Sequence, residues 1–234
     1  MSRSGYSARI ERILEHNADT RSLFLRIADG GDFAFIPGQF LSLELPLADE
    51  TRVRAYSIAS SPEDGQPLEI CLDLVPGGAG SRYLFGLKVG DSIAFTGPFG
   101  RFTLDHAPEV ETIFIADGTA IAPIRPMIRR AFAAGDHPPI RLHHAARTEA
   151  ALIYRREFEA CAARDSRFSF EPSPIEASSG QGGLFDLIER RYVSGDENRK
   201  RHFYICGVGK PVFDLRDLLR GAGYERRAVQ YERW

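Results

Sequence analysis

Hydrophobic and polar positions follow two rhythms in this chain, and the change falls near residue 105. From Tyr6 to about Leu104, short runs alternate polar and apolar residues: Ala8 to Leu14, Arg21 to Ile27, Gln39 to Leu45, Val53 to Ala59, Leu68 to Val75 and Asp91 to Thr96. A period of two belongs to strands with one face in a core. Gly, Pro and Asp punctuate the runs at Asp29-Gly30-Gly31, Ile36-Pro37-Gly38 and Asp64-Gly65-Gln66-Pro67. Six evenly spaced strands predict a small antiparallel six-stranded β-barrel. Only Ser81 to Phe85 reads as a helical turn.

Past Asp105 to Glu109, apolar runs alternate with helical patterns. The strands predicted are Thr112 to Ala116, Ile140 to Ala145, Arg167 to Glu171, Arg201 to Cys206 and Ala228 to Trp234. Between them lie helices over Pro123 to Ala134, about Ala150 to Ala163, Leu184 to Arg191 and Pro211 to Gly221. Such alternation predicts a parallel sheet with crossover helices. Two domains are expected, 1–105 and 106–234, with Ser178 to Gly183 as a flexible loop.

Composition narrows the function classes. With 234 residues and a net charge of −2, the chain lacks the strong basic excess of a nucleic-acid binder. Arg pairs such as Arg129/Arg130 and the Arg199-Lys200-Arg201 cluster read as solvated faces. Cys71, Cys161 and Cys206 are too far apart for a disulfide framework, a CxxC metal site or iron–sulfur spacing. His143 and His144 are adjacent in a strand and point to opposite faces, so no metal site is expected there. The first 20 residues have no signal-peptide core, and no apolar run reaches membrane-spanning length. A cytoplasmic setting and no membrane contact are expected.

The run Arg54-Ala55-Tyr56-Ser57 carries the densest chemistry. Its guanidinium suits phosphate oxygens, its phenol offers a flat face with a polar tip, and its hydroxyl both donates and accepts. Read alone it is equally an exposed edge strand, and strict alternation sets Ser57 on the face opposite Arg54 and Tyr56. Gly78-Ala79-Gly80-Ser81 leads into the predicted helical turn, where unpaired N–H groups favour an anion; Ser81 at the N-cap would equally make it a plain capped turn. Gly97-Pro98-Phe99-Gly100-Arg101-Phe102 reads as architectural.

Arg-x-Tyr-Ser, Gly-x-Gly-Ser and Gly-Pro-x-Gly-x-Phe, in this order, resemble the ferredoxin–NADP reductase superfamily, and the second half continues the match. The resemblance implies an FAD-binding barrel, then a nicotinamide-binding α/β domain. On it, Arg54 would hold the FAD diphosphate with its neighbour Ala55. Tyr56 would pack against the flavin, and Ser57 would lie by flavin N5. Gly78, Gly80 and Ser81 would meet the diphosphate, and backbone around Cys71, Leu72 and Leu74 would edge the ribityl and adenosine parts.

In the second half, Ala116-Asp117-Gly118-Thr119-Ala120-Ile121-Ala122-Pro123 opens a helix straight after a strand, aiming N–H groups at a dinucleotide. It departs from the family's Gly-Thr-Gly run: Ala120 replaces a glycine and Asp117 adds a negative charge. The resemblance places Gly118, Thr119, Pro123, Arg147, Cys206, Gly207 and Val208 around the nicotinamide nucleotide, with Cys206 near the nicotinamide ring. Read alone, Cys206 is a buried small hydrophobe. Trp234 matches a terminal aromatic that covers the flavin face, and Glu232 the carboxylate beside it. Ser57, Cys206 and Glu232 form the expected catalytic group. Ser173-Pro174 and Leu184-Phe185-Asp186 occupy places where related NADPH enzymes put phosphate ligands, so NADH is favoured over NADPH.

The expected activity is therefore a flavoprotein reductase passing hydride from NAD(P)H to bound FAD. Electrons would leave to a separate ferredoxin, flavodoxin or oxygenase component, and a monomer is expected. Two other readings stand beside it: a reductase of free flavin, and a redox-silent binding subunit, the latter suggested by Asp117 and Ala120.

Overall fold

The computed structural model describes residues 5–28, 33–48, 50–65, 67–174 and 183–234. Asp29 to Gly31, Gln66 and the loop residues 178–182 lie outside the described residues. The chain divides into two compact units, one of Met1–Asp105 with Arg125–Arg130, the other of His106–Ile124 with Ala131–Trp234.

The first unit is built on β1 (Tyr6–Asn17), β2 (Thr20–Ile27), β3 (Phe40–Pro46), β4 (Thr51–Ser57), β5 (Leu68–Asp73) and β6 (Ser92–Phe99). Their spatial order is β4-β3-β6-β1-β2-β5, and every pairing is antiparallel. Asn17 helps fix the tight β1–β2 turn by accepting from the Asp19 N–H at 2.9 Å. The two edge strands meet where Ile58, just past β4, bridges Ile70 of β5, and the Ala59 N–H donates to Glu69 O at 2.7 Å. That seam closes the predicted barrel around a core containing Ile10, Leu25, Leu43, Ile70 and Phe95.

Alternation predicted an in–out pattern along β4, and the structure corrects it. Thr51 to Ala55 are all exposed, Tyr56 is half-buried and Ser57 is buried. β4 has a strand neighbour on one side only along this length, so its burial follows how much core lies beneath it rather than residue parity. The helical turn is a full helix, α1 (Ala79–Gly86), with Gly78 at its N-cap.

The second unit carries β7 (Thr112–Asp117), β8 (Ile140–Ala146), β9 (Phe168–Pro174), β10 (His202–Gly207) and β11 (Val229–Arg233). All pair in parallel, in the order β11-β10-β7-β8-β9. The helices are α2 (Ile121–Ala133), α3 (Arg155–Arg164), α4 (Leu184–Tyr192) and α5 (Lys210–Gly221). Ile113, Phe203 and Ile205 from the sheet pack with Ile188 of α4 and Leu215 and Leu219 of α5. The chain winds outward from β7 through β8 to β9, then resumes on the other side of β7 with β10. The carboxyl ends of β7 and β10 therefore flank the switch point where such sheets take ligands.

The helix predicted from about Ala150 begins only at Arg155. A 3-10 turn over Glu149–Ala151, capped by the Thr148 side chain, precedes it. Tyr154 then takes a left-handed conformation with φ of 58°, which interrupts the helical path. The stretch is apolar enough to read as one helix, but its backbone is not continuous.

Candidate functional site

In the first unit, the Arg54 guanidinium donates to its neighbour's carbonyl, Val53 O, at 2.9 Å, and among the described residues no carboxylate pairs with it. A Cβ on Gly80 would lie 3.0 Å from Leu45 Cδ1 and 3.8 Å from Arg54 Cγ. The missing side chain thus lets the start of α1 lie against the stem of Arg54. Ala79, Gly80 and Ser81 are the first residues of that helix, and their N–H groups have no intrahelical acceptor. An arginine stem packed against a helix N-terminus is an arrangement that suits an anion.

Ser81 is not the N-cap. It is the third residue of α1, buried, and its Oγ accepts from the Val75 N–H at 3.0 Å while lying 3.1 Å from Gly78 O. The hydroxyl ties down the Val75–Gly78 turn, which leaves the backbone N–H as this residue's group for an anion. Tyr56 packs against the barrel core, and burial raises its phenol pKa. It stays a neutral ring with one face committed to protein. Ser57 is buried next to it, and Ala55 is exposed. Cys71 and Leu72 are buried in β5 and Leu74 is half-buried just past it. Beyond the Ile70 bridge no described strand pairs with that edge of β5. A ligand running along it would meet backbone rather than the Cys71 or Leu72 side chains.

One group escaped the sequence reading. Glu69 is buried in β5 and accepts from Ser22 Oγ and from Arg125 Nη1, each at 2.7 Å. Arg125 also donates to Ala59 O at 2.8 Å, and the Glu69 N–H donates to Ser60 Oγ at 3.0 Å. These bonds pin residues 59–60, directly after the Tyr56-Ser57 pair. A glutamate inside Leu68-Glu69-Ile70-Cys71-Leu72 and an arginine inside the apolar stretch Ile121 to Ile128 were the signals, since a charge within an apolar run asks for a partner.

In the second unit, Gly118, Thr119, Arg147, Cys206, Gly207, Val208, Glu232 and Trp234 all fall at the carboxyl edge of the sheet, at the ends of β7, β8, β10 and β11. Pro123 is buried in the first turn of α2. A Cβ on Gly207 would lie 3.5 Å from Asp117 Cβ, so the ends of β7 and β10 approach closely. Surrounding protein shields the Asp117 carboxyl enough to raise its pKa.

Cys206 and Glu232 are register partners on β10 and β11. Burial and then the Glu232 charge push the Cys206 thiol well up, so it stays protonated. Burial also raises Glu232, whose Oε1 accepts from the Trp234 indole N–H at 3.1 Å. Backbone bonds from the Trp234 N–H to Gly207 O at 3.0 Å and from the Gly209 N–H to Trp234 O at 3.4 Å tie Trp234 to the same turn. Among the described residues no cluster of metal-ligating side chains occurs.

A closed antiparallel barrel, and a parallel sheet with a glycine turn at its switch point, define a two-domain fold of the kind that takes dinucleotides. Residues 7–104 match the family described as oxidoreductase FAD-binding domain, and residues 114–213 match the oxidoreductase NAD-binding domain. The chain is 32% identical to ferredoxin–NADP reductase B of Sorangium cellulosum, covering 98% of this chain and 97% of that one. It is 31% identical to the toluate 1,2-dioxygenase electron transfer component of Pseudomonas putida, over 99% of this chain and 68% of that one. A Neisseria gonorrhoeae ferredoxin–NADP+ reductase solved with FAD and NADP superposes with a TM-score of 0.83 at 19% identity, covering 98% of each chain. The chain belongs to the ferredoxin–NADP reductase superfamily, and it is an FAD-dependent NAD(P)H oxidoreductase. No helix is long and apolar enough to cross a membrane among the described residues.

Proposed function

We propose that this protein is the reductase of an electron-transfer pair, taking hydride from NADH and passing electrons to a separate ferredoxin, flavodoxin or oxygenase component. The observation that carries it is the clamp of Arg54 against the first turn of α1, with Gly80 making room. Its donors fit the diphosphate of FAD, which when bound accepts a hydride and can release its electrons singly.

Arg54 and the α1 N–H groups hold the diphosphate, with Ala55 and Gly78 beside them. Tyr56 offers a flat partner to the ring, and Ser57 a hydroxyl next to it. Gly118, Thr119, Arg147 and Val208 take the nicotinamide dinucleotide, with Gly207 leaving space. Cys206, uncharged, presents a small polarisable wall; Glu232 orients Trp234. Asp186, in the first turn of α4, would repel the extra phosphate of NADPH and so favours NADH. Similarity to a ferredoxin–NADP reductase over 97% of its length and to a dioxygenase electron transfer component over 68% of its length supports a protein acceptor. A monomer in the cytoplasm, where the thiols Cys71, Cys161 and Cys206 stay reduced, completes the reading.

Purified protein should be yellow, lose its flavin absorbance under anaerobic NADH, and regain it when oxidised ferredoxin is added. Colourless protein that reduces added flavin would point instead to a free-flavin reductase. Bound flavin that NADH fails to bleach would mark a binding subunit.

A further inference from the structure

His144 is fully buried on β8, where its register partner is Ala116 on β7. Its Nε2 lies 2.9 Å from Gly118 O. A carbonyl oxygen can only accept, so Nε2 must carry the hydrogen. Burial keeps the ring neutral, with a pKa lowered to about 4. Gly118 has φ of 57°, yet a Cβ there would meet nothing within 4 Å. Glycine at this point therefore serves backbone conformation, not space.

A left-handed glycine is also where a peptide plane turns over most easily. The Gly118 C=O and the Thr119 N–H belong to one rigid trans peptide and point in opposite directions. Whatever fixes the carbonyl thus aims the N–H. Gly118–Ala120 forms a 3-10 turn in which the Ile121 N–H already donates to Gly118 O, and the imidazole fills that oxygen's second lone pair.

We propose that His144 is a positioning residue: by holding the Gly118 carbonyl it sets the direction of the Thr119 N–H that the turn presents to a nicotinamide dinucleotide. This rests on the reading of Gly118–Thr119 as the dinucleotide turn. The chemistry required at residue 144 is a buried neutral donor, which an aliphatic or phenyl side chain does not supply.

The test uses the FAD-loaded protein and anaerobic stopped flow, which separates the NADH dissociation constant from the limiting rate of flavin reduction. His144→Phe keeps a flat ring and removes the donor; it should weaken NADH roughly fivefold, the worth of one hydrogen bond, with the limiting rate within about twofold. His144→Gln puts an amide N–H where Nε2–H lies and should restore binding to within about twofold. If His144→Phe does not yield folded, flavin-loaded protein, His144→Met, also without a donor, replaces it. Gly118→Ala, strained at this φ, checks the underlying reading. Weakening by Gly118→Ala but not by His144→Phe overturns the proposal alone. Weakening by His144→Phe that Gln does not restore overturns it in favour of packing. If neither change moves NADH binding, the turn is not the dinucleotide site and both ideas fall.

Discussion

Arg54 is an exposed arginine that meets no carboxylate among the described residues, which leaves its guanidinium open to a ligand. Arg54→Ala should leave the fold intact, because the side chain covers no core. A charge-assisted contact to a phosphate is worth about 1.5–3 kcal/mol, so FAD should bind roughly 10- to 100-fold more weakly. Fluorescence titration of the flavin-free protein measures this directly; unchanged affinity would remove Arg54 from the clamp. At this scale the sequence was most informative where chemistry was out of place, as with a guanidinium, a phenol and a hydroxyl in one short strand. It was least informative where partners are far apart in the chain. Glu69 and Arg125 form a buried ion pair at 2.7 Å; each stands out as a charge in an apolar run, but nothing local says that they meet. The sequence argues only against a metal shared by His143 and His144, since a backbone carbonyl 26 positions away leaves no mark in it.

Among elements, α4 is where the proposed preference for NADH can be tested. Asp186 sits in its first turn, where a carboxylate also suits the helix dipole. Leu184 packs against the second unit's core, so this residue has a structural job besides failing to bind phosphate. Leu184→Arg with Asp186→Tyr should move the ratio of kcat/KM values about tenfold or more toward NADPH, since one gained charge contact and one lost repulsion each exceed about 1 kcal/mol. Some loss of thermal stability should accompany it from the vacated packing at 184. An unmoved ratio would mean that the extra phosphate binds elsewhere. Element identity was legible throughout because period two and period 3.6 are hard to confuse over a full run. Ends were less so: α1 proved longer than its turn, and α3 shorter than its apolar pattern. Ser81 read as a cap because serine favours that position, but Gly78 holds it and Ser81 ties back from inside the helix.

For the whole molecule, acid should be the sensitive direction. His143 and His144 are buried with pKa values lowered to about 4, mainly by burial. Unfolded chain takes up protons near pH 6.5 that the folded state refuses, so these groups leave stability intact above pH 6.5 and erode it as pH falls from 6.5 toward 4. Each can contribute a slope of up to about 1.4 kcal/mol per pH unit in that window. Urea midpoints between pH 7 and 4.5 should therefore fall, and His144→Gln should flatten the decline by about one histidine's share. A midpoint independent of pH in the unaltered protein would mean that the two rings take up protons without unfolding.

Side-chain period and residue chemistry are local properties, so the two architectures, their order and the candidate dinucleotide contacts can be read along the chain. Which of those residues stand together depends on folding. The missing Cβ of Gly80 sets α1 against Arg54, the parallel register puts Cys206 opposite Glu232, and a buried imidazole reaches the Gly118 carbonyl. Contacts of that kind depend on how separate segments pack, and packing is settled only when the whole chain has folded.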